Sequence, residues 1–268
     1  MMPEPDLSRL ADKLRLRALR MIAPHGFGYL GQVLSSAEIL ASLYGRHFRP
    51  GIDKIVISPG HYIIGAFAGA VELGVLTDAD LATYGHDGTT LEAIGTEKSP
   101  SVDLTCGSLG QGLSGAVGFS LAMKMDGTGV EDDAKVFALI SDGELEEGQL
   151  WEAAMFAAHN KLNNIVVLLD ANDSQVDGPV SAITTIEPIA AKFEAFGWTA
   201  FDVNGHKVDQ VDAAIEEAKV CGTPSVVIGR TSTRQGLSVL PNGADGHFIK
   251  MPPDLAERAL EELEARLA

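Results

Sequence analysis

Two short polar runs stand directly behind the most apolar stretches of the chain. Ser141-Asp142-Gly143-Glu144 follows Val136-Phe137-Ala138-Leu139-Ile140, and Asp170-Ala171-Asn172-Asp173-Ser174 follows Ile165-Val166-Val167-Leu168-Leu169. A carboxylate and an amide oxygen brought together suit a hard cation such as magnesium, which prefers oxygen ligands and is readily shared with a diphosphate. Gly143, lacking a Cβ, would let the backbone approach phosphate groups closely. Taken singly, each run reads equally well as an Asp or Asn capping a helix after a strand. As a pair closing both ends of one strand–helix–strand unit, they favour a site at adjacent strand ends.

Such a pair needs a sheet to hold it. The two apolar runs are continuous rather than alternating, as expected for parallel strands covered on both faces. A helix over 148–160 between them completes a βαβ unit, whose crossover should be right-handed. Upstream, Leu7, Leu10, Leu14, Ala18 and Met21 recur at helical spacing with Arg9, Lys13, Arg17 and Arg20 off that face. That helix ends before Pro24, and a glycine-rich turn over 25–32 follows. Ser35-x-x-Glu38 then offers a capping box for a second helix reaching about Phe48. Ile55-Val56-Ile57 reads as a strand, followed by a small-residue helix over 61–73. Residues 85–108 look irregular, and a stretch this long is often functional. The segment 110–125 reads as a helix so rich in Gly, Ala and Ser that something must pack tightly against it. Helices near 187–196, 207–220 and 254–267, with strands at 199–203 and 225–229, complete the pattern. The fold class is α/β, an open, mostly parallel sheet with helices on both faces. No linker divides it, so residues 1–268 are read as one domain.

Composition narrows the partners. With 268 residues, 46% of them hydrophobic, the chain can bury a large core. A net charge of −17 would repel nucleic acid and anionic membranes, so neither is an expected partner. Cys106 and Cys221 have no metal-ligand spacing and form no disulfide framework. A reducing cytoplasm is the plain reading. The N-terminal segment lacks an apolar signal core, and no apolar run reaches the length of a membrane span.

At this point the chain resembles a family. Asp142-Gly143 through Asn172 is similar to the thiamine diphosphate motif, which begins Gly-Asp-Gly and ends in Asn one βαβ unit later, with Ser141 here in place of the first glycine. SDGELEEGQLWEAAMFAAHNKLNNIVVLLDANDSQVDG resembles the corresponding stretch of split transketolases, encoded as separate N- and C-terminal subunits. SPGHYIIGA, TCGSLGQGLSGAVGFSLA and KFEAFGWTAFDVNGH match in the same order, so the resemblance covers nearly the whole chain. It implies that Asp142, the Asn172 side chain and the Ser174 carbonyl ligate Mg2+, or another divalent cation such as Ca2+ or Mn2+. It further implies that Gly143 and the turn Gly107-Ser108-Leu109 lie along thiamine diphosphate, with His61 and His247 near its diphosphate or the substrate. His61, read by itself at a helix start after Pro-Gly, is equally an ordinary capping or core histidine.

Glu144, Glu146, Glu147 and Glu152 crowd one segment. For Glu144 and Glu146 a solvated acidic helix start, favoured by the helix dipole, is the expectation. The resemblance implies that Glu147 and Glu152 carry protons between the two active sites of a dimer. It also implies a glutamate on a pyrimidine-binding domain, which nothing in this chain resembles. A separate C-terminal subunit supplying it in a 2+2 heterotetramer is therefore expected.

The substrate side departs from the family. Phe27-Gly28-Tyr29-Leu30-Gly31 stands where Ser-Gly-His-Pro-Gly is usual, so Tyr29 replaces a substrate histidine, with His25 four residues earlier. A second family histidine has no counterpart in 91–97, and the Lys-Gly-x-Gly loop becomes Thr233-Arg234-Gln235-Gly236-Leu237. A tyrosine donates one hydrogen bond but does not become a cation near neutral pH. The leading expectation is a ketol-transferring, transketolase-like enzyme with non-standard small-molecule substrates. Two alternatives stand beside it: a thiamine-dependent carboligase or synthase with a 2-oxo acid donor, and a non-catalytic regulatory homologue.

Overall fold

The structure, a computed structural model, describes residues 5–127, 133–243 and 246–268. The chain opens with α1 (Leu7–Ile22), a two-residue strand β1 (Phe27–Gly28), α2 (Leu30–Ser42), β2 (Lys54–Pro59) and α3 (Ile63–Ala70). A short α4 (Asp78–Leu81) leads through irregular chain to β3 (Leu104–Cys106), then α5 (Gln111–Asp126) and β4 (Val136–Ser141). Next come α6 (Gly148–His159), β5 (Ile165–Ala171), α7 (Val180–Ile183), α8 (Ile189–Phe196) and β6 (Thr199–Asn204). The chain finishes with α9 (Val208–Val220), β7 (Ser225–Arg230), β8 (Ile249–Lys250) and α10 (Pro253–Leu267).

Six strands form one parallel sheet in the order β3-β2-β4-β5-β7-β6. Alternate strand residues serve opposite cores. Phe137, Leu139, Val166 and Leu168 pack with α1, α2 and α9, while Ala138, Ile140, Val167 and Leu169 pack with α5, α6 and α8. Burial on both faces is why those strands carry no polar alternation. Register runs unbroken from Val136 opposite Ile165 to Ser141 opposite Asp170, so the two polar runs emerge side by side at one edge. β1 and β8 make a separate antiparallel ribbon.

Several boundaries differ from the sequence reading. The second helix begins at Leu30, not after Ser35, so Ser35 and Glu38 form no capping box. Both are buried inside α2 and bond elsewhere. Glycine misled the reading there: Gly31 is a helical residue, and a Cβ on it would lie 1.8 Å from the Gly246 carbonyl oxygen. The glycine permits close approach, not a turn. β3, at three residues too short to carry a pattern, was hidden in the irregular 85–108 stretch. The small-residue helix behaves as expected, since a Cβ on Gly112 would lie 2.4 Å from the Ser58 Cα. Among the described residues no helix is long and apolar enough to cross a membrane. Cys106 and Cys221 are both free thiols.

Candidate active site

The chain runs outward from β2 to β3 and then returns to the other side of β2 as β4. That reversal is where open parallel sheets bind ligands, beyond the carboxyl ends of the strands. Asp142 leaves β4 and is 3% exposed. Its Oδ1 accepts from the Gly143 N–H at 2.9 Å and its Oδ2 from the Asp173 N–H at 2.6 Å. Asp173 sits at φ 55°, a left-handed conformation uncommon for a residue with a Cβ, and its carboxylate accepts from Ser181 at the start of α7. The loop after β5 is thereby bent back toward Asp142.

Asn172 is held by both ends of its amide. Its Nδ2 donates to Asp170 Oδ2 at 2.8 Å, Tyr62 Oη at 2.9 Å and Ser35 Oγ at 3.2 Å. Its Oδ1 consequently faces the other way and accepts from the Ser174 N–H at 3.0 Å. Asp170, fully buried, also accepts from Ser35, Tyr62 and Thr231 hydroxyls. One carboxylate thus joins β5, α2, the turn after β2 and the end of β7. The sequence reading placed Asp170 at the strand end but gave it no role.

Asp142, Asn172 and Ser174, predicted as a set, are brought together in one hydrogen-bonded turn. Burial, and then the charge of Asp170, push the Asp142 carboxyl up to about 7. Among the described residues its hydrogen bonds come from backbone N–H groups and it has no ion-pair partner. A buried carboxylate in this state gains most from a cation. The donor set of carboxylate, amide and carbonyl oxygens therefore fits a hard divalent ion. No group of three His, Cys, Asp or Glu able to hold a metal exists among the described residues, but a set of this composition contains only one such side chain. A cavity of about 100 Å³ adjoins Asp142 and Asp173, bounded also by Ser181 and Glu187.

Glu144 departs from the expectation of a solvated helix start. Its side chain is fully buried. It accepts from Ser58 Oγ at 2.7 Å, the Gly110 N–H at 2.8 Å and the Ser141 N–H at 3.2 Å. Burial raises its carboxyl to about 7. Ser58 precedes His61, Gly110 follows the exposed Gly107-Ser108 turn, and Ser141 precedes Asp142, so one side chain ties three loops together. The residue lies two positions beyond Asp142, where only tertiary packing decides exposure. Glu146, by contrast, is exposed, as is the pair Glu147 and Glu152 at the start of α6. No hydrogen bond or ion pair joins Glu147 to Glu152. They share their surface with Met155 and Phe156, respectively 47% and 48% exposed.

On the other side of the site His61, Tyr29 and His247 form a ring cluster, with centroids 5.0 Å apart for Tyr29–His61 and for His61–His247. Burial and the neighbouring His247 depress His61 to about 3, so it is a neutral imidazole. Gln32 Nε2 lies 3.2 Å from His247 Nδ1 and donates to the His247 carbonyl at 3.0 Å. Because the amide nitrogen only donates, Nδ1 accepts and the ring proton belongs on Nε2. Gln32 Oε1 is buried and has no partner among the described residues, a further orphaned acceptor beside the site. His25 is not part of this cluster. It donates to the Tyr84 carbonyl at 2.8 Å and packs against Tyr84 and His86. Asp245, two residues before His247 in Asp245-Gly246-His247, lies outside the described residues.

Fold and site together define an α/β domain whose buried oxygen donors cluster at a strand-order reversal. Residues 7–253 match the family described as transketolase, thiamine diphosphate binding domain, and the chain belongs to that family. It is 35% identical to the 6-deoxy-6-sulfo-D-fructose transketolase subunit of a Clostridium strain, over 97% of this chain and 96% of that protein. It is 34% identical to an apulose-4-phosphate transketolase subunit of Actinobacillus succinogenes, again over 97% and 96%. Transketolase from Leishmania mexicana superposes with a TM-score of 0.85 at 26% identity, covering 98% of this chain and 41% of that one. The chain thus matches subunits end to end and spans about two fifths of that transketolase.

Proposed function

We propose that this chain is the diphosphate-binding subunit of a two-component, transketolase-like transferase. It would move a two-carbon ketol unit from a ketose donor to an aldehyde acceptor. In this reading Asp142, the Asn172 amide oxygen and the Ser174 carbonyl hold Mg2+, or Ca2+ or Mn2+ in its place, and residues 1–268 act as one domain. The observation that carries it is the buried Asp142 carboxylate, bonded to the Asp173 N–H one residue from an Asn172 amide whose nitrogen is committed to Asp170, leaving its oxygen to the Ser174 turn. Bound thiamine diphosphate would supply a carbanion-stabilising centre for cleavage and formation of the carbon–carbon bond. The chain's own part is to bind and orient. Gly143 and the Gly107-Ser108-Leu109 turn give backbone access to the diphosphate, and His61 and His247 offer neutral imidazole N–H groups to ligand oxygens.

A separate C-terminal subunit would contribute the pyrimidine-binding domain and its glutamate, completing a 2+2 heterotetramer in the cytoplasm. The apolar face bearing Met155 and Phe156 supports such an interface, and in this reading the exposed Glu147 and Glu152 beside it would pass protons once covered. The end-to-end match to two proteins described as subunits supports it independently. Their named ketoses, a sulfonated deoxy sugar and a branched sugar phosphate, accord with a donor outside common sugar-phosphate exchange, as does Tyr29 in place of an imidazole. Calorimetry tests the cofactor reading. Magnesium-dependent thiamine diphosphate binding should vanish in Asp142→Ala while the circular dichroism spectrum is retained, and unchanged binding would overturn the assignment. Product analysis with ketose against 2-oxo acid donors, using the reconstituted pair, tests the reaction class.

A further inference from the structure

The ring cluster does not end at Tyr29. Tyr29 packs edge-on against Phe248 at 5.1 Å, and Phe248 packs against Phe27 at 5.4 Å. A chain of tilted and edge-on ring contacts therefore links His61 and His247 through Tyr29 and Phe248 to Phe27 on the β1–β8 ribbon. There Phe27 is 54% exposed, and a hollow of about 410 Å³ opens. Gly26, Phe27, Phe248 and Pro252 form its walls, and the exposed Lys250 stands at its rim. Hydroxyl-rich sugar chains are recognised by donors and acceptors, of which this surface has few. Desolvating hydroxyls against carbon without replacement bonds is unfavourable.

We infer that this hollow is a substrate subsite, taking the part of the substrate beyond the reacting carbonyl. That tail presents carbon rather than hydroxyl groups to Phe27 and Phe248 and ends in an anionic group within reach of Lys250. The inference rests on the transferase reading for the identity of the reacting end, but not for the existence of the subsite. Apolar pockets with few convergent polar groups are the usual form of small-molecule sites, and the ammonium sets the orientation of the ligand.

The probe is 3-phenylpropionate, an unreactive carboxylate with an apolar ring. Saturation-transfer NMR on the magnesium- and thiamine diphosphate-loaded chain should show ring-proton transfer. Affinity should drop about tenfold in Phe248→Gly and in the surface variant Phe27→Ser, whose side chain is 54% exposed. Lys250→Ala should weaken the carboxylate several-fold and leave 3-phenylpropanol unaffected. Equal binding by wild type and both phenylalanine variants would overturn the subsite, as would loss of probe binding when the second subunit is added. With the reconstituted pair, Phe27→Ser should lower kcat/KM for 3-phenylpropanal at least fivefold more than for D-glyceraldehyde 3-phosphate. Transfer to both acceptors with an unchanged ratio would overturn the inference and leave the transferase reading standing. Absence of transfer to any acceptor would overturn that reading, while the NMR result still decides the subsite.

Discussion

The Asn172 amide nitrogen donates to Asp170 Oδ2 at 2.8 Å, and this bond decides which way the amide faces. With its NH2 group committed to a buried carboxylate, the oxygen is left to the N–H of the Ser174 turn. In the proposed cation site Asn172 is a ligand oriented by the group behind it, and disturbing such a group typically costs about 10–100-fold in metal affinity. Asp170→Ala should weaken magnesium-dependent thiamine diphosphate binding by about that factor, measured by calorimetry on the folded variant. Asp170→Asn, which can donate as well as accept, should also fall short of wild type, because three hydroxyls and an amide already donate there. Wild-type affinity in both would show that Asn172 is oriented without Asp170.

Glu144 gathers three loops through one carboxylate, and its removal strands two backbone N–H groups inside the protein. Each unsatisfied buried donor costs roughly 1–3 kcal/mol. Urea unfolding of Glu144→Ala should show a loss of about 2–4 kcal/mol. Glu144→Gln, which keeps one acceptor oxygen and the shape, should lose less than half as much. A loss below about 0.5 kcal/mol in Glu144→Ala would contradict the burial described.

His61 gives the pH dependence a definite sign. Folded, burial and His247 hold it down to about 3, against an ordinary value of 6.5. Between those two values the unfolded chain binds a proton that the folded chain does not. Its contribution to stability is therefore complete above pH 6.5 and is lost as pH falls toward 3. The difference in unfolding free energy between wild type and His61→Gln should shrink by at most about 1.4 kcal/mol per pH unit across that window. A pH-independent difference across the same window would refute the assignment of a neutral imidazole.

Arg15, 1% exposed, pairs with Glu38 at 2.6 Å and donates to the Leu34 carbonyl at 3.0 Å, fastening α1 to α2. Removing one partner of a buried pair costs about 3–5 kcal/mol, and Arg15 removal leaves the Glu38 charge, among the described residues, with only His206 Nδ1 beside it at 3.3 Å. Arg15→Met should lower stability by that amount in urea titration, and Arg15→Met with Glu38→Met should recover part of it. If the single variant lost less than about 1 kcal/mol, the pair would be behaving as a surface one.

How far the residues alone disclosed this arrangement depends on the range of the interaction. Continuous apolar runs at 136–140 and 165–169 announced buried parallel strands, because burial on both faces is a local property of every residue in them. Asp142 and Asn172 followed, since a strand end fixes where the next residues emerge. Chain-distant contacts left no such mark. Ser35 and Glu38 imitated a helix start, although one contacts Asp170 and the other Arg15, 135 and 23 residues away along the chain. Glu144 reads as one more acid in an acidic run, and only the closing of three loops over it takes it out of water.

By itself, the amino-acid sequence determined the alternation of helices and buried strands and the oxygen donors at two adjacent strand ends. The tertiary structure alone decided which carboxylates are buried, which way the Asn172 amide faces, and that Tyr29 continues through Phe248 to an open apolar hollow. The physical reason is that periodicity and strand ends are properties of neighbouring residues. Desolvation, amide orientation and ring contacts are properties of groups that meet only after the chain has closed.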